Sequence, residues 1–215
     1  MTTLEWVQNR KIIAIVRGLA PEYMLKLADA LYAGGIDLME VTFSQARSET
    51  WKDTAAAIRA IGEHMEGKML VGAGTVVTDE QLQMAIEAGA KYIITPNTNP
   101  ELIRKVKAAG LCSFPGALTP TEIEIAYRAG ADAVKVFPAG NLGPSYIKAV
   151  KAPLSHIPLM AVGGVNEKNT ADFLKAGCCG VGVGGNLVNM NWVKAGEWDK
   201  ITDLAKEYRK AVEEQ

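Results

Sequence analysis

The chain is poor in the residues that most often carry metal and redox chemistry. In 215 residues there are two histidines, His64 and His156, and three cysteines, Cys112, Cys178 and Cys179. A His-rich catalytic metal centre is therefore not expected, and acid–base work falls to Glu, Asp, Lys or water. The odd cysteine count, without a C-x-x-C spacing, argues against a disulfide framework or a zinc site and fits a cytoplasmic protein. Neither sign of charge is in excess: 23 Lys and Arg against 24 Asp and Glu leave a net charge of −1. No basic excess is available to neutralise a phosphate backbone, so no nucleic-acid partner is expected. No apolar run approaches the roughly 18 residues of a membrane span, and MTTLEWVQNRK lacks the basic-then-apolar pattern of a signal peptide. What remains, 48% hydrophobic and 22% charged, is ordinary globular composition, unlike collagen, a disordered chain or a disulfide scaffold.

What is present is a recurring unit. Short apolar runs begin at KIIAIVRG (11–18), IDLMEVTF (36–43), KMLVGAGT (68–75), KYIITPN (91–97), LCSFPG (111–116), ADAVKVFP (131–138), IPLMAVGG (157–164) and CGVGVGG (179–185). Amphipathic stretches with helical spacing lie between them, such as PEYMLKLADALYAGG, TDEQLQMAIEAGA and TPTEIEIAYRAGA. A capping residue or Pro opens these stretches. An Ala-Gly pair closes them at Gly34, Gly89, Gly110, Gly130 and Gly177, where glycine takes the left-handed conformation that ends a helix. Strand, helix, strand at this spacing reads as βαβ units on a parallel sheet. About eight units, with a short extra N-terminal helix near residues 2–9 and a C-terminal one near 197–213, predict an α/β chain. The expected fold is a single (β/α)8 TIM barrel over residues 1–215, in preference to an open doubly wound sheet.

In a barrel the chemistry belongs at the C-terminal strand ends. Alternation puts Ala133, Lys135 and Phe137 on one face of their strand and Val134 and Val136 on the other. Lys135 then projects inward, where desolvation favours its neutral, nucleophilic form. The same residue on an edge strand would reach water. Leu38, Glu40 and Thr42 share a face, and an inward carboxylate is expensive unless paired. Lys135 is the natural partner, either as a structural ion pair or with Glu40 moving protons. Arg17 ends the first strand, where a guanidinium clamps carboxylate or phosphate, or simply lies exposed. Gly163 and Gly164, then Gly184 and Gly185 with Asn186, follow the seventh and eighth runs. There, amides at a helix start attract anions, although glycines also make tight turns. Gly72-Ala73-Gly74-Thr75 reads as a further open loop with Thr75 as a donor. Cys178-Cys179 reads as a buried small-residue pair.

Taken in order, Glu40 in MEVTF, Gly-Ala-Gly-Thr75, Thr95-Pro96, Pro115-Gly116, Lys135 in VKVFPA, Gly163-Gly164-Val165 and the closing Gly-Val-Gly resemble the 2-keto-3-deoxy-6-phosphogluconate (KDPG) aldolase family, which includes 4-hydroxy-2-oxoglutarate aldolases. The resemblance runs over nearly the whole chain. It implies a (β/α)8 barrel, a homotrimer and a class I aldolase without metal or cofactor. It implies Lys135 as the Schiff-base lysine and Glu40 as the general acid/base. Arg17, Thr75 and Pro96 would form the pyruvyl-side pocket with Phe137 beside the lysine, and Gly163, Gly164, Gly184 and Gly185 the phosphate end. Two departures stand out: Val162 where gluconate-type members often carry Thr, and Gly185-Asn186 where many have Ser. Val162 in A-V-G-G-V, with GPSYIKA at 143–149, looks more like the 6-phosphogalactonate branch.

The expected reaction is reversible cleavage of a 2-keto-3-deoxy-6-phosphosugar acid, of gluconate or galactonate type, to pyruvate and glyceraldehyde 3-phosphate. Three rivals are a 4-hydroxy-2-oxoglutarate aldolase, a phosphosugar isomerase using Glu40 as base, and a non-catalytic phosphosugar-binding or assembly barrel. The pathway served, whether Entner–Doudoroff, galactonate or hexuronate use, is left open.

Overall fold

The computed structural model describes residues 1–214. It is built on nine strands: β1 (Ile12–Val16), β2 (Leu38–Thr42), β3 (Leu70–Gly74), β4 (Tyr92–Ile94), β5 (Cys112–Phe114), β6 (Gly116–Ala117), β7 (Val134–Val136), β8 (Leu159–Val162) and β9 (Cys178–Val183). Every pairing is parallel, and β1 joins β2 on one side and β9 on the other. The sheet order is β5-β4-β3-β2-β1-β9-β8-β7-β6. Its two ends are covalently continuous, because only Pro115 separates β5 from β6. Proline has no N–H to donate to a ladder. The chain pairs with β4 before Pro115 and with β7 after it, so the ring closes and eight chain passages form the barrel wall.

Ten α-helices accompany the strands among the described residues. They are α1 (Thr3–Arg10), α2 (Met24–Ala33), α3 (Trp51–His64), α4 (Asp79–Glu87), α5 (Pro100–Ala108), α6 (Pro120–Arg128), α7 (Gly143–Lys151), α8 (Thr170–Lys175), α9 (Met190–Ala195) and α10 (Trp198–Glu213). Capping boxes at Thr2, Thr78 and Thr119 start α1, α4 and α6, and Asn99 caps α5, satisfying amides that the helix itself cannot. Closing glycines Gly89, Gly110, Gly130 and Gly177 all have positive φ. Gly34 does not: Gly35 takes the left-handed turn, and Gly34 is small because a Cβ there would run into Ala205 and the carbonyl of Thr202 on α10.

Alternation sorts the strand residues into two cores. Ala14, Met39, Val134, Val136, Ala161 and Val183 pack outward under the helices. Ile13, Leu38, Tyr92, Ile94, Phe114, Ala133 and Met160 fill the lower barrel, and Val7 of α1 joins them. Thus α1 stoppers the N-terminal mouth. Burying one such valine is worth roughly 1.5–3 kcal/mol.

The segment Gly72–Gly74, read from sequence as an open loop, lies within β3, and only Thr75 stands beyond the strand. Glycine is needed there for space. A Cβ on Gly72 would enter the ring of Tyr92. That ring is held by its hydroxyl donating to Met39 O at 2.8 Å and by Phe114, with ring centroids 5.7 Å apart. It has no room to retreat. Gly72→Ala is therefore expected to destabilise the fold by about 1–3 kcal/mol, read as a lower midpoint in urea unfolding.

Candidate active site

Glu40 sits mid-strand in β2, opposite Ile15 of β1 and Gly72 of β3. Its carboxylate occupies the notch left by Gly74, where a Cβ would overlap it. Lys135 sits mid-strand in β7 between Gly116 and Met160. Both face the upper barrel interior and are nearly closed off, at 1% and 7% exposure. Burial raises the Glu40 pKa, opposed by the positive charges of Lys135 and Arg17. Burial also lowers the Lys135 pKa; Glu40 opposes that shift and Arg17 adds to it.

Of the two readings the sequence leaves open for Glu40 and Lys135, the direct ion pair does not form. No nitrogen of Lys135 lies within the 4.0 Å of an ion pair to Glu40, and Glu40 Oε2 has no hydrogen-bond partner. The two charges feel each other across an opening. Space for a reacting atom between amine and carboxyl is what proton transfer to a bound molecule requires.

That opening is a cavity of about 620 Å³ at the C-terminal ends of the strands. Arg17 enters it from the end of β1, Thr75 from the end of β3 and Pro96 from the loop after β4. Phe137 borders the amine, with Lys135 Nζ 4.9 Å from its ring centroid. Val162, Gly163 and Gly164 line the side under β8, and Gly184, Gly185 and Asn186 the side under β9. The cavity therefore brings together every residue singled out from sequence as part of a site.

The glycine pairs do not stand at helix starts, as the sequence reading had it. Gly164 and Gly185 each precede the next helix by several residues, so any amides they present are loop amides. Gly163 and Gly164 both have positive φ, and a Cβ on Gly164 would crowd Gly140. Asn186 is partly committed, donating from Nδ2 to Val165 O at 2.8 Å, which ties the two loops together. Sequence reasoning missed three further wall residues, Ile15, Val188 and Met190, and quoted two more, Val165 and Gly182, only inside the glycine motifs. Ile15 was within reach, since it shares the inner face of β1 with Ile13. Val188 and Met190 lie beyond the last strand and carry no periodic signal.

With the geometry in hand, the likeness to known proteins is unambiguous. The family model described as "KDPG and KHG aldolase" matches residues 4–204, and the chain belongs to that family. It is 37% identical over 211 residues to the 2-dehydro-3-deoxy-6-phosphogalactonate aldolase of Escherichia coli K12, covering 98% of this chain and 100% of that one. It is 32% identical over 208 residues to the 2-dehydro-3-deoxy-phosphogluconate aldolase of Haemophilus influenzae, covering 95% and 93%. Among solved structures, a KDPG aldolase from Legionella pneumophila, with pyruvate captured as a covalent carbinolamine intermediate, superposes with a TM-score of 0.84 at 28% identity, covering 95% and 97%.

The electrostatics make a testable demand. Glu40 is the group that sustains the Lys135 ammonium against burial and Arg17. Glu40→Gln removes that support, so the pH at which Lys135 becomes half neutral moves down. Labelling of Lys135 by an amine-reactive reagent, followed by peptide mass analysis across pH, is expected to show its midpoint at lower pH in the variant.

Proposed function

We propose that this chain, working as a single barrel domain, is a class I aldolase that reversibly cleaves a 2-keto-3-deoxy-6-phosphosugar acid to pyruvate and glyceraldehyde 3-phosphate. The observation that carries the reading is a buried amine with a lowered pKa facing a buried carboxyl with a raised one across a cavity. Perturbations of this kind, in opposite directions, are how a fold runs acid and base steps near neutral pH.

The neutral Lys135 amine attacks the C2 ketone, and Glu40 supplies and removes the protons of the resulting carbinolamine. Loss of water leaves a protonated imine. Glu40 takes the C4 hydroxyl proton, the C3–C4 bond breaks, and its electron pair flows into the imine to give an enamine and the free aldehyde. Protonation at C3 and hydrolysis release pyruvate and restore the amine. The covalent link divides one difficult step into easier ones. Arg17 and Thr75 hold the carboxylate, Pro96 and Phe137 shape the pyruvyl side, and the loops bearing Gly163, Gly164, Gly184, Gly185 and Asn186 hold the phosphate, fixing the far end of the substrate.

Val162, which cannot hydrogen-bond a substrate hydroxyl, and the galactonate name of the Escherichia coli relative together favour the 6-phosphogalactonate substrate. One observation favours a second reading, the unphosphorylated 4-hydroxy-2-oxoglutarate giving pyruvate and glyoxylate. The wall formed by the loops after β8 and β9 carries no lysine or arginine among the described residues.

Borohydride added with pyruvate is expected to leave a reduced pyruvyl adduct on the peptide holding Lys135. Lys135→Ala is expected to lose roughly 10³-fold or more of the cleavage rate; cleavage that survives the substitution rejects the mechanism. Rates on the two phosphorylated epimers and on 4-hydroxy-2-oxoglutarate in the same assay separate the substrate readings.

The same reading places the enzyme in the cytoplasm as a homotrimer. No helix of the described residues is long and apolar enough to cross a membrane. Leu118, Ile125 and Tyr127 leave apolar surface exposed near α6, as a subunit contact requires. Light scattering is expected to give three times the 23.0 kDa chain mass.

A further inference from the structure

Thr75 is held in a conformation that its own chemistry disfavours. Its φ is +55°, in the left-handed region where a β-branched side chain crowds the backbone. Such a residue persists only where its surroundings over-determine it. The surroundings here are two glutamines outside the cavity wall. Gln45, in the loop that follows the Glu40 strand, donates from Nε2 to Thr75 O at 2.8 Å. Gln45 Oε1 in turn accepts from Gln81 Nε2 at 3.1 Å. Gln81 is fully buried and cannot swing away. Its Oε1 accepts from Val77 N at 2.8 Å and Thr78 N at 3.3 Å, and its own N–H donates to Thr78 Oγ1 at 3.2 Å. A chain of oriented amides thus runs from the first turn of α4, through the loop after β2, to the carbonyl of Thr75 on the rim of the cavity.

We infer that Gln45, anchored by Gln81, is a positioning residue for ketoacid capture: it pins the Thr75 peptide so that the threonine side chain stays on the cavity wall. The inference rests on the reading that Thr75 helps to hold the substrate carboxylate. Gln45 does not itself line the cavity and acts only through Thr75. Without its amide the Thr75 carbonyl loses its donor, and the residue relaxes to an ordinary φ, turning the hydroxyl away from the substrate. Because Gln45 grows from the strand that carries Glu40, the brace also ties the carboxylate-holding side of the cavity to the proton-transferring side.

The test is a double-mutant cycle read by pyruvate capture. The pyruvate concentration giving half-maximal borohydride trapping, and KM against kcat for cleavage, are measured for the parent, Gln45→Ala, Thr75→Gly and the double variant. Gln45 is exposed, so its loss leaves the fold standing. The expected result is about a tenfold rise in half-saturating pyruvate and in KM for Gln45→Ala, with kcat falling less than twofold. Thr75→Gly is expected to show a comparable rise, and the double variant no more than Thr75→Gly alone, since glycine adopts the left-handed conformation unaided. Capture by Gln45→Ala at the parental concentration, with Thr75→Gly impaired, overturns the inference and leaves the carboxylate reading in place. A Gln45→Ala effect that persists in full on the Thr75→Gly background also overturns it, because the glutamine then acts elsewhere. Parental capture by Thr75→Gly overturns the carboxylate reading and the inference together.

Discussion

Two opposite charges share one desolvated space without touching. Were Glu40 and Lys135 in direct contact, each would satisfy the other, and the pair would be a structural element in the barrel wall. Held apart, each bears part of its burial cost unrelieved, which pushes the lysine toward its neutral form and the glutamate toward its protonated one. That tension is stored by the barrel. Parallel register fixes the height of both side chains, alternation turns both inward, and the packed layer of Tyr92, Ile94, Phe114 and Met160 forms the floor beneath them.

Glycine maintains the separation. Gly74 clears the notch that the Glu40 carboxylate occupies, and Gly72 clears the space for the aromatic ring below it. On the opposite side, a Cβ at Gly182 would come within 3.0 Å of Val162. The inner faces of β3 and β9 thus give up side-chain contacts so that other strands can fill the interior. The cost is recovered outside the strands, where valine, isoleucine and alanine pack under the helices in a continuous core.

Much of this was legible before any coordinates. Each of the eight apolar runs coincides with a strand to within a residue, and the inward placement of Lys135 and Glu40 follows from period-two alternation once a barrel is assumed. The less legible parts have physical reasons. Gly72 and Gly74 looked like loop residues because glycine signals turns more often than it signals a neighbour needing room. Gly34 looked like a cap, but tertiary packing against α10 uses its size and leaves the left-handed turn to Gly35. Whether Glu40 and Lys135 touch stayed open, because the cost of burying a charge calls for a partner but does not fix the separation. The Gln81–Gln45–Thr75 chain was invisible because it depends on three separate segments meeting.

The stopper formed by α1 has a consequence for traffic. With Val7 closing the N-terminal mouth, everything that reaches the amine must pass through the same gate at the other end, and must leave by it. A fragment bonded to Lys135 lies at the blind end, behind whatever occupies the vestibule. Under the proposed reaction, departure therefore follows a queue: the aldehyde goes first and the ketoacid second. In the condensation direction the ketoacid enters before its partner, so the covalent link and the single gate impose the same order.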